Sequence, residues 1–172
     1  MGLIKLNNQS ISAVTALPTA ISTGITMADK YRTTSDITSN TDPITNLERV
    51  DDASFSIIGS GMTESSGTFS FPTTGVYQIY VQSRATASND AAFLGIKLTT
   101  DNSNYTEESY ATVSTDSSTR INAGIFTSVL FDVTNVSTHK VRFATSSMSN
   151  ATFYGDTNTN VTAFTFIRLG DT

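Results

Sequence analysis

GTFSFPTTGVYQIYVQSRA, from Gly67 to Ala85, reads as the end of one strand, a turn and a second strand. Phe69 and Phe71 alternate with small polar residues up to Pro72, and Pro72 to Gly75 supplies the turn. Beyond it Tyr77, Ile79 and Val81 point one way while Val76, Gln78, Tyr80 and Gln82 point the other. The second face carries a valine and a tyrosine among its glutamines, which predicts that something covers it.

Outward from this stretch the whole chain has the same character. Its 172 residues, 38% of them hydrophobic, suffice for one domain with a core of its own. Roughly three residues in ten are Ser or Thr, set among Val, Ile, Phe and Tyr as in half-buried strands. Short apolar runs recur from Asp29 onward with turn signals between them, which predicts an all-β sandwich or barrel with almost no helix. Strands are expected near Lys30 to Thr33, Ile44 to Val50, Ser54 to Ile58, Gly67 to Phe71, Val76 to Ala87, Ala92 to Thr99, Glu107 to Ser114, Arg120 to Val133, Lys140 to Thr145 and Val161 to Leu169. Residues 1–27 are set apart. They carry almost no charge besides Lys5, and Ile4, Leu6, Ile11, Val14, Leu17 and Ile21 are scattered among Ser and Thr, as in an extended arm lying on its own domain or on a neighbour. The expected division is an arm over 1–27 and a β domain over 28–172.

Composition excludes several classes of function. Without cysteine there is no disulfide framework, thiolate metal site or cysteine nucleophile. A net charge of −5 leaves no basic surface for nucleic acid. No apolar run is long enough to span a bilayer and none at the amino end resembles a secretory signal, so neither membrane nor secretion is expected. The sole histidine, His139, stands beside Lys140 with no Ser and Asp patterned to complete a relay, and no catalytic residue or enzymatic activity is expected. Asp51, Asp52, Asp90, Asp101 and Asp116 match no calcium-loop spacing and read as loop carboxylates, so no metal or other cofactor is expected. Glu48 and Arg49, beside Asp51, are placed to pair across a subunit boundary.

Comparison of strands carries the reading furthest. Lys140 to Thr145 is one-sided, with Val141 and Phe143 inward and Lys140 and Arg142 outward. Arg120 to Val133 is apolar on both faces, with Phe126 and Leu130 opposing Ile121, Ala123, Ile125, Val129, Phe131 and Val133. The last strand sets Phe164 and Phe166 against Val161, Ala163, Ile167 and Leu169, and Val76 to Ala87 is the third such case. A sheet apolar on both sides needs a further layer. Another copy of the chain is the expected layer, through Val76, Tyr80, Phe126, Leu130, Phe164 and Phe166, with a covering by the chain's own arm as the alternative.

The run from Gly67 to Tyr77 resembles the G-x-F-x-x-P-x-x-G-x-Y signature of the trimeric jelly rolls typified by tumour necrosis factor and the globular heads of the first complement component, with Phe69, Pro72, Gly75 and Tyr77 at matching spacing. The resemblance implies an antiparallel jelly-roll sandwich over Ala28 to Thr172, forming a homotrimer through a sheet built from the first, third, sixth and last strands. There is no collagen-like stalk. The amino-terminal stretch, with the ERVDD and GSGMTESSG segments, is similar to small virion proteins of tailed bacteriophages, particularly marine ones. That likeness implies a structural virion protein on the capsid exterior or on a tail or fibre. One version is a trimeric decoration or cement protein that grips the major capsid protein, or another virion protein, through its arm. The other is a receptor-binding or fibre-tip module presenting Tyr105, Tyr110, Phe153 and Tyr154 on loops to a host glycan or protein.

Overall fold

The computed structural model describes residues 24–172; the arm positions Ile4, Leu6, Ile11, Val14, Leu17 and Ile21 lie outside the described residues. Eleven strands, and no α-helix among the described residues, build two antiparallel sheets. They are β1 (Met27–Thr33), β2 (Leu47–Arg49), β3 (Thr63–Ser65), β4 (Thr68–Ser70), β5 (Gly75–Ala87), β6 (Asp90–Thr99), β7 (Thr106–Thr115), β8 (Ile121–Val133), β9 (Lys140–Ser146), β10 (Ala151–Phe153) and β11 (Ala163–Gly170).

The larger sheet is organised around β5. One edge of β5 pairs along its whole length with β8, while the other pairs with β11 and then β10; β1 lies beyond β11 and β2 closes that side. The smaller sheet runs β3-β4-β9-β6-β7. The chain crosses from one sheet to the other after β2, β4, β5, β7, β8 and β9, and the fold is a jelly roll.

The decisive stretch behaves as its alternation predicts. Phe69, Phe71, Tyr77, Ile79 and Val81 are buried together between the sheets. The turn between them is fixed by Gly75 at φ 140°, where a Cβ would lie 2.4 Å from the Gly170 carbonyl oxygen, and by the Tyr77 hydroxyl, which donates to the Thr73 carbonyl at 2.8 Å. Phe69 packs against Tyr31, Phe143 and Phe166 with ring centroids 4.9, 5.6 and 5.0 Å apart, so strands of both sheets meet on one ring.

Several expected boundaries differ. Ser54 to Ile58 is a loop tied to the sheet by a single bridge, Ile58 to Ala28, and β3 and β10 are short strands with no sequence signal of their own. Met27 is already the first residue of β1 and is buried. Asp29, fully buried, explains how the loop before β3 is held. Its carboxylate accepts two bonds from the Arg49 guanidinium, at 3.1 Å each, and others from the Met62 and Lys30 amides at 2.7 and 2.8 Å. A carboxylate can be buried when every lone pair is so engaged.

Candidate association surface

The two faces of the larger sheet follow from its registers. Inward, Phe164 lies opposite Val81 and Phe166 opposite Ile79. Both phenylalanines are therefore core residues, fully buried; Phe164 stacks on Phe143 at 4.0 Å. This corrects their expected place in a subunit interface. The double apolarity of β11 is real, but the larger side chains point inward and Ala163 and Ile167 form the outer side.

The outer face gathers most of the large apolar side chains that the described residues leave exposed. Ile58, Ala28, Ile167, Gln78 and Leu130 form one row across it, each paired with the next. A second row runs Lys30, Thr165, Tyr80 and Ser128, and a third Glu48, Arg32, Ala163, Gln82 and Phe126. Phe126 is 79% exposed, Leu130 59% and Tyr80 44%, and Ile58 is exposed as well. The remaining exposed large apolar residues are Ile25, Tyr110 and Leu169. Of the side chains expected at an interface, Val76, Tyr80, Phe126 and Leu130 thus share this face.

At the edge of the face the charges are locked together within one chain. Arg32 is 1% exposed although it points outward, because Glu48, Asp51 and Asp52 close over its guanidinium at 2.7, 2.7 and 3.1 Å. Burial opposes its charge, but the hydrogen bonds it donates to Glu48 and Asp52 outweigh this and raise its pKa above the ordinary arginine value. Glu48 pairs with Arg32 and Arg49 with Asp29 in the same subunit, which corrects the expected pairing across a boundary. Composition alone carried no signal that Arg32 would gather these carboxylates, since they come from β2 and the loop that follows it.

The four aromatics expected on receptor loops do not converge. Phe153 is fully buried in β10, which removes it from any surface role, since its register beside Ala85 turns it inward. Tyr154 lies under the Arg84 guanidinium at 4.7 Å and Tyr105 under that of Arg142 at 4.0 Å. Tyr110 is not on a loop; it stands in mid-strand on the outer face of the smaller sheet. His139 stacks on Phe131 at 5.4 Å and bonds Thr134 and Thr138.

Among the described residues no group of three or more His, Cys, Asp or Glu side chains is arranged to hold a metal ion. Asp90 and Asp101 instead accept bonds from nearby backbone amides.

These geometries define a jelly roll of the tumour necrosis factor type, and solved structures agree. The chain is similar to the Eiger TNF of S. frugiperda, with a TM-score of 0.69 at 14% identity over 87% of this chain and 96% of that one. Murine APRIL gives 0.63 at 10% identity over 83% and 98%, and the globular domain of zebrafish complement 1qA gives 0.52 at 14% identity over 85% and 99%. No protein-family model and no curated protein matches the chain by sequence.

Proposed function

We propose that this chain is a structural, non-enzymatic protein of a bacteriophage particle that assembles as a homotrimer through the outer face of its larger sheet. One observation carries the assembly: Ile58, Tyr80, Phe126 and Leu130 lie exposed on a single sheet face, a concentration that monomeric proteins seldom leave in water. Threefold stoichiometry is the expectation attached to this fold class, and a cyclic arrangement closes without leaving a free greasy edge. The particle role draws on the resemblance of the amino-terminal stretch to virion proteins. Under this reading residues 1–27 of each copy attach to the major capsid protein or another virion protein, and three weak arms on one trimer raise the effective concentration at the shell. Placement at a tail or fibre end, facing a host glycan or protein, is the competing version.

The test has two arms. Sedimentation of the full chain should give about three times the 18.4 kDa subunit mass, and deletion of residues 2–26 should leave that mass intact while abolishing binding to purified capsids. A stable monomer refutes the assembly; capsid binding by the truncated chain refutes the role of the arm. Cryo-microscopy of particles separates a lattice of trimers on the shell from a few copies at the tail.

A further inference from the structure

Tyr110 is the exposed large aromatic on the sheet face turned away from the proposed assembly surface, and its surroundings are built rather than incidental. It is 55% exposed, its ring meets Phe93 edge-on at 5.2 Å and 81°, and its cross-strand partner is Gly95. In a regular strand Glu107, three residues away, would point to the opposite face. It does not, because β7 carries an extra residue there: Ile96 pairs with Ser109 but Lys97 with Glu107. The bulge turns Glu107 outward, and its carboxylate lies over Gly95, with Oε2 2.5 Å from where a Cβ would stand. Glycine at 95 is what leaves room for it.

The charges around this carboxylate are already engaged. Lys97, its cross-strand neighbour, donates to Asp42 at 2.6 Å, and Arg142 pairs with the other oxygen of Asp42 at 3.0 Å while stacking on Tyr105. Among the described residues no donor or cation engages the Glu107 carboxylate, and Glu108 beside it is exposed and acidic. The spot therefore combines an exposed, fixed aromatic ring with a carboxylate that no donor among the described residues contacts. A ring face and a carboxylate side by side are complementary to an organic cation, which gains a charge pair and a cation–π contact together, whereas a neutral group gains neither.

We propose that Glu107, Tyr110 and Phe93, over the floor at Gly95, form a docking site for a lysine or arginine side chain of a partner protein. The site stands on its own geometry and does not depend on the assembly through the larger sheet. Because each contact is exposed, one site is weak, and strength comes from several copies engaging together.

The probe is Nα-acetyl-lysine N-methylamide, titrated into the full-length chain and followed by NMR at the Gly95 amide and the Tyr110 ring. The norleucine analogue serves as the uncharged isostere and methyl glucoside as a neutral polyol. The lysine derivative should shift both resonances saturably and the other two should not. Glu107→Gln should weaken binding about fivefold, the share of one exposed charge next to a ring. Gly95→Ala, which displaces the carboxylate, should weaken it similarly, and raising salt from about 20 to about 300 mM should weaken it severalfold. Equal shifts with the norleucine analogue or with methyl glucoside, or unchanged affinity in Glu107→Gln, would overturn the proposal.

Discussion

Phe126 and Phe166 are both phenylalanines of the larger sheet, but the pairing register sends them to opposite faces, and truncating each should produce different failures. Phe126 is 79% exposed in the subunit. Covering most of a phenylalanine contributes about 2 kcal/mol, so Phe126→Ala should remove about 6 kcal/mol from a threefold ring with three equivalent contacts. That is about four orders of magnitude in the overall association constant. Trimer dissociation depends on the square of subunit concentration, so the midpoint should rise about 100-fold. Phe166 is fully buried, 5.0 Å from Phe69 and 6.0 Å from Phe143. Phe166→Ala should cost about 3–5 kcal/mol of subunit stability, about 10 °C in Tm for a domain of this size. Sedimentation equilibrium across a dilution series reads the first effect and thermal unfolding at fixed concentration the second. With assembly coupled to folding, the parent chain's Tm should rise with protein concentration, and Phe126→Ala should lower Tm at any one concentration. If Phe126→Ala leaves the dilution curve unmoved, or Phe166→Ala loosens the assembly without lowering Tm, the assignment of the two faces is wrong.

Other perturbations test the scaffold. Asp29→Ala frees the Met62 amide while Arg49, partly exposed, keeps access to water, and should cost about 1–3 kcal/mol in chemical denaturation; a loss under about 0.5 kcal/mol would contradict the anchoring role of this carboxylate. Gly75→Ala places a methyl group against the Gly170 carbonyl and the Arg168 guanidinium and should destabilise by about 1–3 kcal/mol or more, visible as a lowered midpoint at unchanged slope. The Asp101 carboxyl is held well below the usual carboxylate range by the Asn104 side chain, by the Asn104 amide, and by Thr99 and Ser103. Its folded pKa being depressed, its contribution to the loop is complete above the unfolded value near about 3.9 and is lost as pH falls through the folded value. In an NMR titration Asn104→Ala should move the Asp101 midpoint upward; an unmoved midpoint would remove the side-chain bond as the leading cause.

Strand alternation made the sandwich legible because its period is short and the core demands large apolar residues at every second place. Val141 and Phe143, Ile79 and Val81, and Phe126 and Leu130 all fell on the sides their spacing predicts. The face of β11 was misassigned for a physical reason. When both sides of a strand are apolar, alternation separates them but does not say which is inward; the registers Phe164 to Val81 and Phe166 to Ile79 decide that. Ile58 was hidden for another reason. It sits on a loop, and a single bridge to Ala28 brings it into the exposed row. The bulge at Glu108 was equally silent, since an extra residue in one strand shows only against its partner. The knot of Arg32 with Glu48, Asp51 and Asp52 depends on β1 and β2 lying side by side, which local sequence does not encode.

The two sheets divide the labour that a particle protein of this fold would need. An assembly on the larger sheet removes Phe126, Leu130 and Tyr80 from water and turns the outer face of the smaller sheet toward the exterior. Lys97 and Arg142 share the Asp42 carboxylate on that exterior face, so both cations are held in ion pairs. Glu107 breaks the pattern, because the bulge aims it away from Lys97 and onto the glycine beside Tyr110. A strand selected only for folding has no need of a bulge that exposes an unpaired carboxylate next to a ring. Glu107→Gln with the bulge intact separates the two explanations. The exchange should leave the thermal stability of the subunit unchanged and weaken the response to the lysine probe. A lowered Tm instead would make the carboxylate a folding device.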